Sequence, residues 1–101
     1  MPITSKLSPD GAELAIAVEG RFDFSVHQEF RKAYETSRGR PRKFRVDMRH
    51  ANYLDSSALG MLLLLRDHAG GDEADILIVN CNDAVKNILT VSNFDQLFTI
   101  T

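Results

Sequence analysis

The stretch that decides the fold is Phe44–Leu65, which reads FRVDMRHANYLDSSALGMLLLL. It opens on a strand-like segment, Phe44–Met48, and closes on five consecutive apolar residues, Met61–Leu65. Between them, the run Asp55-Ser56-Ser57 lies at the expected start of a helix, where backbone N–H groups lack intrahelical partners. The pattern predicts a strand followed by a helix whose first turn carries two hydroxyls and a carboxylate. Such a helix start suits reversible phosphate chemistry.

The residues before this stretch predict a hairpin. Two runs, Ile3–Ser8 and Ala12–Glu19, are separated by the turn triplet Pro9-Asp10-Gly11. In the second run, large apolar residues alternate with alanine and glutamate, which is the period of a strand with one more heavily buried face.

A change of period after the hairpin predicts the first helix. From Ser25 onward, apolar residues recur at helical spacing while polar residues occupy the other faces. Asp23 or Ser25 is the expected cap, and Gly39 and Pro41 are expected to end the helix.

The residues after the apolar run continue the alternation of strand and helix. The second helix, starting at Ser56 or Ser57, should reach about Ala69, because Gly70-Gly71 follows. Ile76–Val79 is an apolar strand, Asn82 a good cap for a third helix, and the apolar tail Phe94–Ile100 a candidate for a last short strand.

The resulting order is β-β-α-β-α-β-α-β, which predicts a single α/β domain over residues 1–101. Right-handed crossovers would make the central strands parallel and pack the helices mainly on one side of one mixed sheet. A chain of 101 residues with 44% hydrophobic residues can bury one such core.

Charge and composition argue against several classes of partner and of covalent cross-link. A net charge of -2 offers no basic face for nucleic acid, and we interpret the basic cluster Arg38–Lys43 as a solvated loop. The first residues lack the apolar core of a signal peptide, and the longest apolar run is far below the roughly 20 residues that span a bilayer. We therefore expect a cytoplasmic protein that contacts no membrane. Cys81 is the single cysteine, so no internal disulfide can form, and we expect it to be a buried small hydrophobe.

Enzymatic chemistry is disfavoured by the motifs. There is no Gly-x-Ser-x-Gly elbow, the three histidines have neither triad context nor metal-ligand spacing, and Gly70-Gly71 follows a helix rather than a strand. We expect no catalytic residues, no cofactor and no metal. Ser56 and Ser57 retain a simpler interpretation, in which they only cap the second helix.

The apolar run of the second helix is longer than a core stripe needs. We expect Leu62, Leu63 and Leu65 to be buried between the sheet and a neighbouring helix. Met61 and Leu64 are the candidates for contact with a partner, since exposed apolar patches and adaptable methionines mark interaction surfaces.

The segment Asp47–Leu63 resembles the signature of STAS domains, specifically the small single-domain anti-sigma factor antagonists of bacteria, in which Asp-Ser-Ser-Gly-Leu-Gly opens a helix. The similarity covers nearly the whole chain, and Gly20-Arg21-Phe22-Asp23 stands where the family tends to have Gly-Glu-Leu-Asp. The chain departs from the pattern at Ala58, where the family usually has glycine, and at Arg21-Phe22.

The resemblance implies a non-catalytic partner switch, and since the sequence has no coiled-coil or other dimer signal, we expect a monomer. A cognate serine kinase would phosphorylate Ser56, with Ser57 as the alternative acceptor, and a phosphatase would reverse it. The unphosphorylated form would bind an anti-sigma factor and release the sigma factor for transcription. The residues expected to contact the partner are Asp23, Asp55, Ser57, Ala58, Met61 and Leu64.

Two other functions stay open. STAS-like domains also serve as structural subunits of ATP-driven lipid transport complexes, where the serine would have no regulatory role. A plain α/β module that binds a small ligand or nucleotide is the third possibility, and the lack of a phosphate cradle argues against it.

Overall fold

The computed structural model describes residues 2–36 and 41–101. Five strands and three α-helices occur there, with short 3-10 turns at Phe24–Val26, Gly71–Glu73 and Phe94–Gln96. In chain order the elements are β1 (Ile3–Leu7), β2 (Glu13–Phe22), α1 (His27–Glu35), β3 (Lys43–Leu54), α2 (Ser56–His68), β4 (Ile76–Val79), α3 (Asp83–Val91) and β5 (Thr99–Ile100).

The strands form one mixed sheet in the order β1-β2-β3-β4-β5. β1 and β2 are antiparallel, and every later neighbour is parallel. Each parallel crossover advances one strand in the same direction, so right-handed connections place all three helices on one face. The predicted fold class and element order are confirmed.

The core lies between the sheet and the three helices. Alternate residues of the central strands point toward the helices and are buried, as period-two geometry requires. The opposite face carries Ala15, Ala17, Arg45 and Asp47, which stay partly or fully exposed. The core residues contributed by the central strands are Leu14, Ile16, Val18, Phe44, Val46, Met48, Ile76 and Ile78.

Two elements near the helix starts differ from the sequence prediction. β3 runs to Leu54 rather than ending at Met48, because its second half continues to pair with β2. Asp23 caps a 3-10 turn, and α1 begins only at His27. The expected stop at Gly39 lies outside the described residues.

The apolar run of α2 divides in a way that the sequence did not predict. Leu62 and Leu65 are buried as expected, but Leu63 is 42% exposed, so its predicted burial is wrong. Leu63 follows Leu62 by about 100° around the helix, and the buried face of α2 includes Ala58 and Met61 instead.

Half-buried Cys81 packs against the core, and burial raises the pKa of its thiol.

In residues 2–36 and 41–101, none of the helices has the length and apolar character needed to cross a bilayer.

Candidate functional site

Two long parallel strands carry the candidate site beyond the rest of the sheet. Pairing between β3 and β4 ends at Asp47 and Val79, whereas pairing between β2 and β3 continues to Phe22 and Leu54 through two register shifts. The next residue of each strand is an aspartate. Asp23 and Asp55 therefore emerge close together, at the helix-bearing end of both strands.

The two aspartates make matching caps. Asp55 Oδ1 accepts hydrogen bonds from the Ser57 N–H at 3.0 Å, the Ala58 N–H at 3.2 Å and the Ser57 hydroxyl at 2.5 Å. Asp23 Oδ1 accepts from the Ser25 N–H at 2.9 Å and the Ser25 hydroxyl at 2.5 Å. In each motif an Asp holds the serine two residues later, and the residue between them is left to point outward.

These hydrogen bonds keep both carboxylates ionised. The Ser57 hydroxyl, assisted by the backbone N–H groups of Ala58 and Ser57, lowers the pKa of Asp55, although desolvation and, less strongly, the nearby charge of Asp23 oppose this effect. The Ser25 hydroxyl and N–H lower the pKa of Asp23 in the same way. Two negative charges consequently flank the start of α2 at neutral pH.

Ser56 is the more accessible of the two serines. It is the first residue of α2 and is exposed, and its hydroxyl has no hydrogen bond to any residue in the described part of the chain. Ser57 is half-buried, and its hydroxyl is already donated to Asp55.

An apolar groove of about 500 Å³ runs between α1 and α2 beside Ser57. Phe24 is 64% exposed and Leu64 is 59% exposed, so both offer apolar surface at the groove. The Phe24 ring stacks on His27 with centroids 4.0 Å apart, which holds the exposed ring in place. The groove is lined by Phe24, His27, Phe30, Arg31, Tyr34, Ser57, Gly60, Met61 and Leu64.

Three of the six residues expected at the partner surface line this groove. Ser57, Met61 and Leu64 line it, with Met61 largely buried as part of its wall. Ala58 is fully buried, so its side chain cannot reach a partner, and its expected contact with a partner is wrong.

Phe24 was missed at the level of sequence. An apolar residue at the start of an amphipathic helix suggests burial, yet a signal was present. Phe24 stands between Asp23 and Ser25 as Ser56 stands between Asp55 and Ser57, and the middle position of this motif points outward.

A cation lies across the two strand ends. Arg21 and Tyr53 are neighbours in the β2–β3 register, and the Arg21 guanidinium carbon lies 3.9 Å from the centroid of the Tyr53 ring. Arg21 Nε also donates to Asp23 Oδ2 at 3.3 Å. The candidate site thus combines two carboxylates, one guanidinium and an exposed serine.

Metal binding has no support in the described ranges. Across residues 2–36 and 41–101, no group of three or more His, Cys, Asp or Glu side chains is placed to hold an ion.

Comparison with known proteins identifies the family. The family model described as "Mlab, STAS domain" matches residues 5–100. The chain belongs to the STAS domain family. A STAS-domain containing protein of Pseudomonas aeruginosa (strain UCBPP-PA14) is 59% identical over 101 residues, which is the full length of both chains.

Solved structures of known proteins share the fold. An antisigma-factor antagonist STAS domain from Rhodobacter sphaeroides is 32% identical, with a TM-score of 0.57 over 77% of this chain and 84% of that one. The anti-sigma factor antagonist SpoIIAA in its unphosphorylated form has a TM-score of 0.75 at 13% identity, covering 98% of this STAS domain and 86% of SpoIIAA. A Bacillus SpoIIAA structure in the phosphorylated form has a TM-score of 0.68 at 12% identity, covering 98% and 90%.

Proposed function

We propose that this STAS domain is an anti-sigma factor antagonist whose partner binding is controlled by phosphorylation of Ser56. The observation that carries the proposal is the position of Ser56, exposed at the start of α2 between the capping carboxylate of Asp55 and Ser57, which lines an apolar groove. A cytoplasmic serine kinase would transfer the γ-phosphoryl of ATP to Ser56 Oγ, and a phosphatase would remove it. The domain itself performs no catalysis.

Ser56 is preferred to Ser57 because of the hydrogen bonds that each hydroxyl makes. Phosphorylating Ser57 would sacrifice the 2.5 Å hydrogen bond from its hydroxyl to Asp55 and disturb the cap of α2. Phosphorylating Ser56 leaves that cap intact, since the hydroxyl of Ser56 is not used in it.

The unmodified form would bind the anti-sigma factor through the groove and its rim. Exposed Phe24 and Leu64 both present apolar surface at the groove, and aromatic side chains such as phenylalanine are enriched at protein interfaces. Ser57 and Met61 complete this surface next to the acceptor serine. Binding there would free the sigma factor and so activate transcription.

A phosphate on Ser56 would break this contact without unfolding the domain. It adds about -1.5 to -2 charges, which the N-terminus of α2 tolerates because of the helix dipole. The same charge would have to be desolvated next to Asp55 and Asp23 if the partner stayed bound. A loss of about 3 kcal/mol is more than a hundredfold in affinity, enough to exchange partners.

The names of the relatives agree with this role. SpoIIAA is described as an anti-sigma factor antagonist, and its structure has been solved in a phosphorylated and in an unphosphorylated form. The shared fold, together with the exposed serine at the start of α2 in this chain, supports the same role here. We propose that the domain acts as a monomer.

The test is capture of partners from the organism that encodes the chain. Purified parent, Ser56→Ala, Ser56→Asp and Ser57→Ala proteins are used as baits, and mass spectrometry identifies the partners and the phosphorylated residue. We expect an anti-sigma factor on the parent, Ser56→Ala and Ser57→Ala baits and its loss from Ser56→Asp, with phosphate mapped to Ser56.

Two results would contradict the proposal. One is the same partners on all four baits, above all the subunits of an ATP-driven lipid transporter, since that would make Ser56 only a helix cap in a structural subunit. The other is phosphate mapped to Ser57 with none on Ser56.

A further inference from the structure

Arg21 is a cation that contacts Asp23, one of the two capping carboxylates of the candidate site. It is exposed, and its two contacts are a cation–π contact with Tyr53 and a long hydrogen bond of 3.3 Å to Asp23. Both contacts are worth little at an exposed position, because water competes for the guanidinium. Arg21 can therefore leave them at small cost when a stronger anion arrives.

Phosphorylation of Ser56 would create such an anion near two carboxylates that are already negatively charged. Asp55 and Asp23 are both ionised and close enough for their charges to interact. A phosphate adds nearly two further negative charges beside them. The N-terminus of α2 offers only a partial positive charge. A full positive charge nearby would therefore stabilise the phosphate and the two carboxylates.

The β2–β3 register brings Arg21 toward that position. Arg21 pairs with Tyr53 and Phe22 with Leu54, so the guanidinium lies over the residue three positions before Ser56. Its hydrogen bond to Asp23 holds it beside the residue that caps the 3-10 turn before α1.

We propose that Arg21 is the phosphate-binding residue of the modified domain: on phosphorylation of Ser56 its guanidinium leaves Tyr53 and Asp23 and binds the phosphate through two parallel N–H groups. This inference rests on Ser56 as the acceptor in the proposed function and adds the residue that receives the phosphate. A guanidinium suits the role because its planar fork matches phosphate geometry, whereas lysine presents a point charge.

The transfer changes the surface as well as the charge. In the unmodified domain the guanidinium covers one face of the Tyr53 ring. In the phosphorylated domain that aromatic face is uncovered, while the phosphate is partly neutralised. The two forms therefore present different surfaces at the ends of β2 and β3, beyond the addition of the phosphate itself.

The test installs phosphoserine at position 56 during protein synthesis and follows the phosphate by ³¹P NMR. A bound cation favours the dianion, so the second ionisation of the phosphate should have its midpoint about half a pH unit or more lower in the parent than in Arg21→Gln. Arg45→Gln is the matched control, because Arg45 is also an ion-paired strand arginine but lies near the start of β3, far along the strand from Asp55, and pairs with Glu13. Its midpoint should equal that of the parent.

A second readout follows the Tyr53 ring. Its proton resonances should shift when phosphoserine is installed in the parent and stay unchanged in Arg21→Gln. Coincident ³¹P midpoints for the parent and Arg21→Gln, or an unshifted Tyr53 ring in the parent, would overturn the inference. Because the phosphate is installed without a kinase or partner, this outcome is independent of the capture experiment, and either proposal can fail alone.

Discussion

At the scale of single residues, one carboxylate oxygen organises the start of α2. Asp55 Oδ1 takes up two backbone N–H groups and the Ser57 hydroxyl, which leaves Ser56 as the exposed serine. The cap was foreseeable, since an Asp before a helical apolar run is a standard N-cap signal. The contact between Arg21 and Tyr53 was not, because it depends on the register between two strands separated by a helix.

The lowered pKa of Asp55 predicts how the cap responds to pH. Since the folded-state pKa lies below the ordinary 3.8, the ionised carboxylate stabilises the fold above that value and loses this contribution as pH falls through the folded pKa. Asn caps helices about as well but does not titrate. Asp55→Asn should therefore lose less stability than the parent between about pH 5 and about pH 2.

Urea unfolding followed by circular dichroism across this pH range measures the difference. Asp67→Asn is the control, because the Asp67 carboxylate has no hydrogen bond to any residue in the described ranges, and it should follow the parent. Parallel pH profiles for the parent and Asp55→Asn would contradict the role given to the Asp55 carboxylate.

At the scale of elements, α2 serves the core and the surface with adjacent residues. Ile76–Val79 and the start of α2 were predicted within a residue, since apolar runs and caps are local signals. The second half of β3 was missed because its sequence is polar and its strand form comes from pairing with β2. Leu63 was misassigned because five apolar residues in a row conceal which of them lie on the core stripe.

Adjacent leucines of α2 provide a matched test of this division. Leu62→Ala should lower the free energy of unfolding by about 2 to 5 kcal/mol, since it leaves a cavity in the core. Leu63→Ala should cost about 1 kcal/mol or less, because a side chain already half in solvent forms fewer core contacts. Chemical denaturation of both variants decides, and equal losses would show that the assigned helix face is wrong.

Substitution of Phe24, whose ring is exposed at the groove, should affect partner binding but not the stability of the fold. Phe24→Ala should leave the unfolding free energy within about 0.5 kcal/mol of the parent and weaken binding of the anti-sigma factor at least about tenfold. Phe30→Ala, in the same helical region but 1% exposed, should cost about 3 to 5 kcal/mol of stability.

Thermal or urea melts, together with calorimetric titration of the partner captured on the parent bait, give both quantities. A Phe24→Ala protein of normal stability that binds the partner as tightly as the parent would exclude Phe24 from the interface.

At the scale of the whole molecule, the fold puts two helix starts and an apolar groove at one end of a rigid sheet. Every strand advance is in one direction, so the helices share a face, and the two longest strands carry both capping aspartates to the same place. The order of elements gave this architecture in advance, because short connections and right-handed crossovers leave few alternatives. The juxtaposition of Asp23 with Asp55 required the three-dimensional register.

The central claim is that a phosphate on Ser56 abolishes binding of the anti-sigma factor while the domain stays folded. The most direct measurement is calorimetric titration of that partner into the unmodified domain and into the domain carrying installed phosphoserine 56, with circular dichroism melts of both. We predict an affinity more than about a hundredfold weaker for the phosphorylated domain, with both forms folded. Equal affinities for the two forms would contradict the switch.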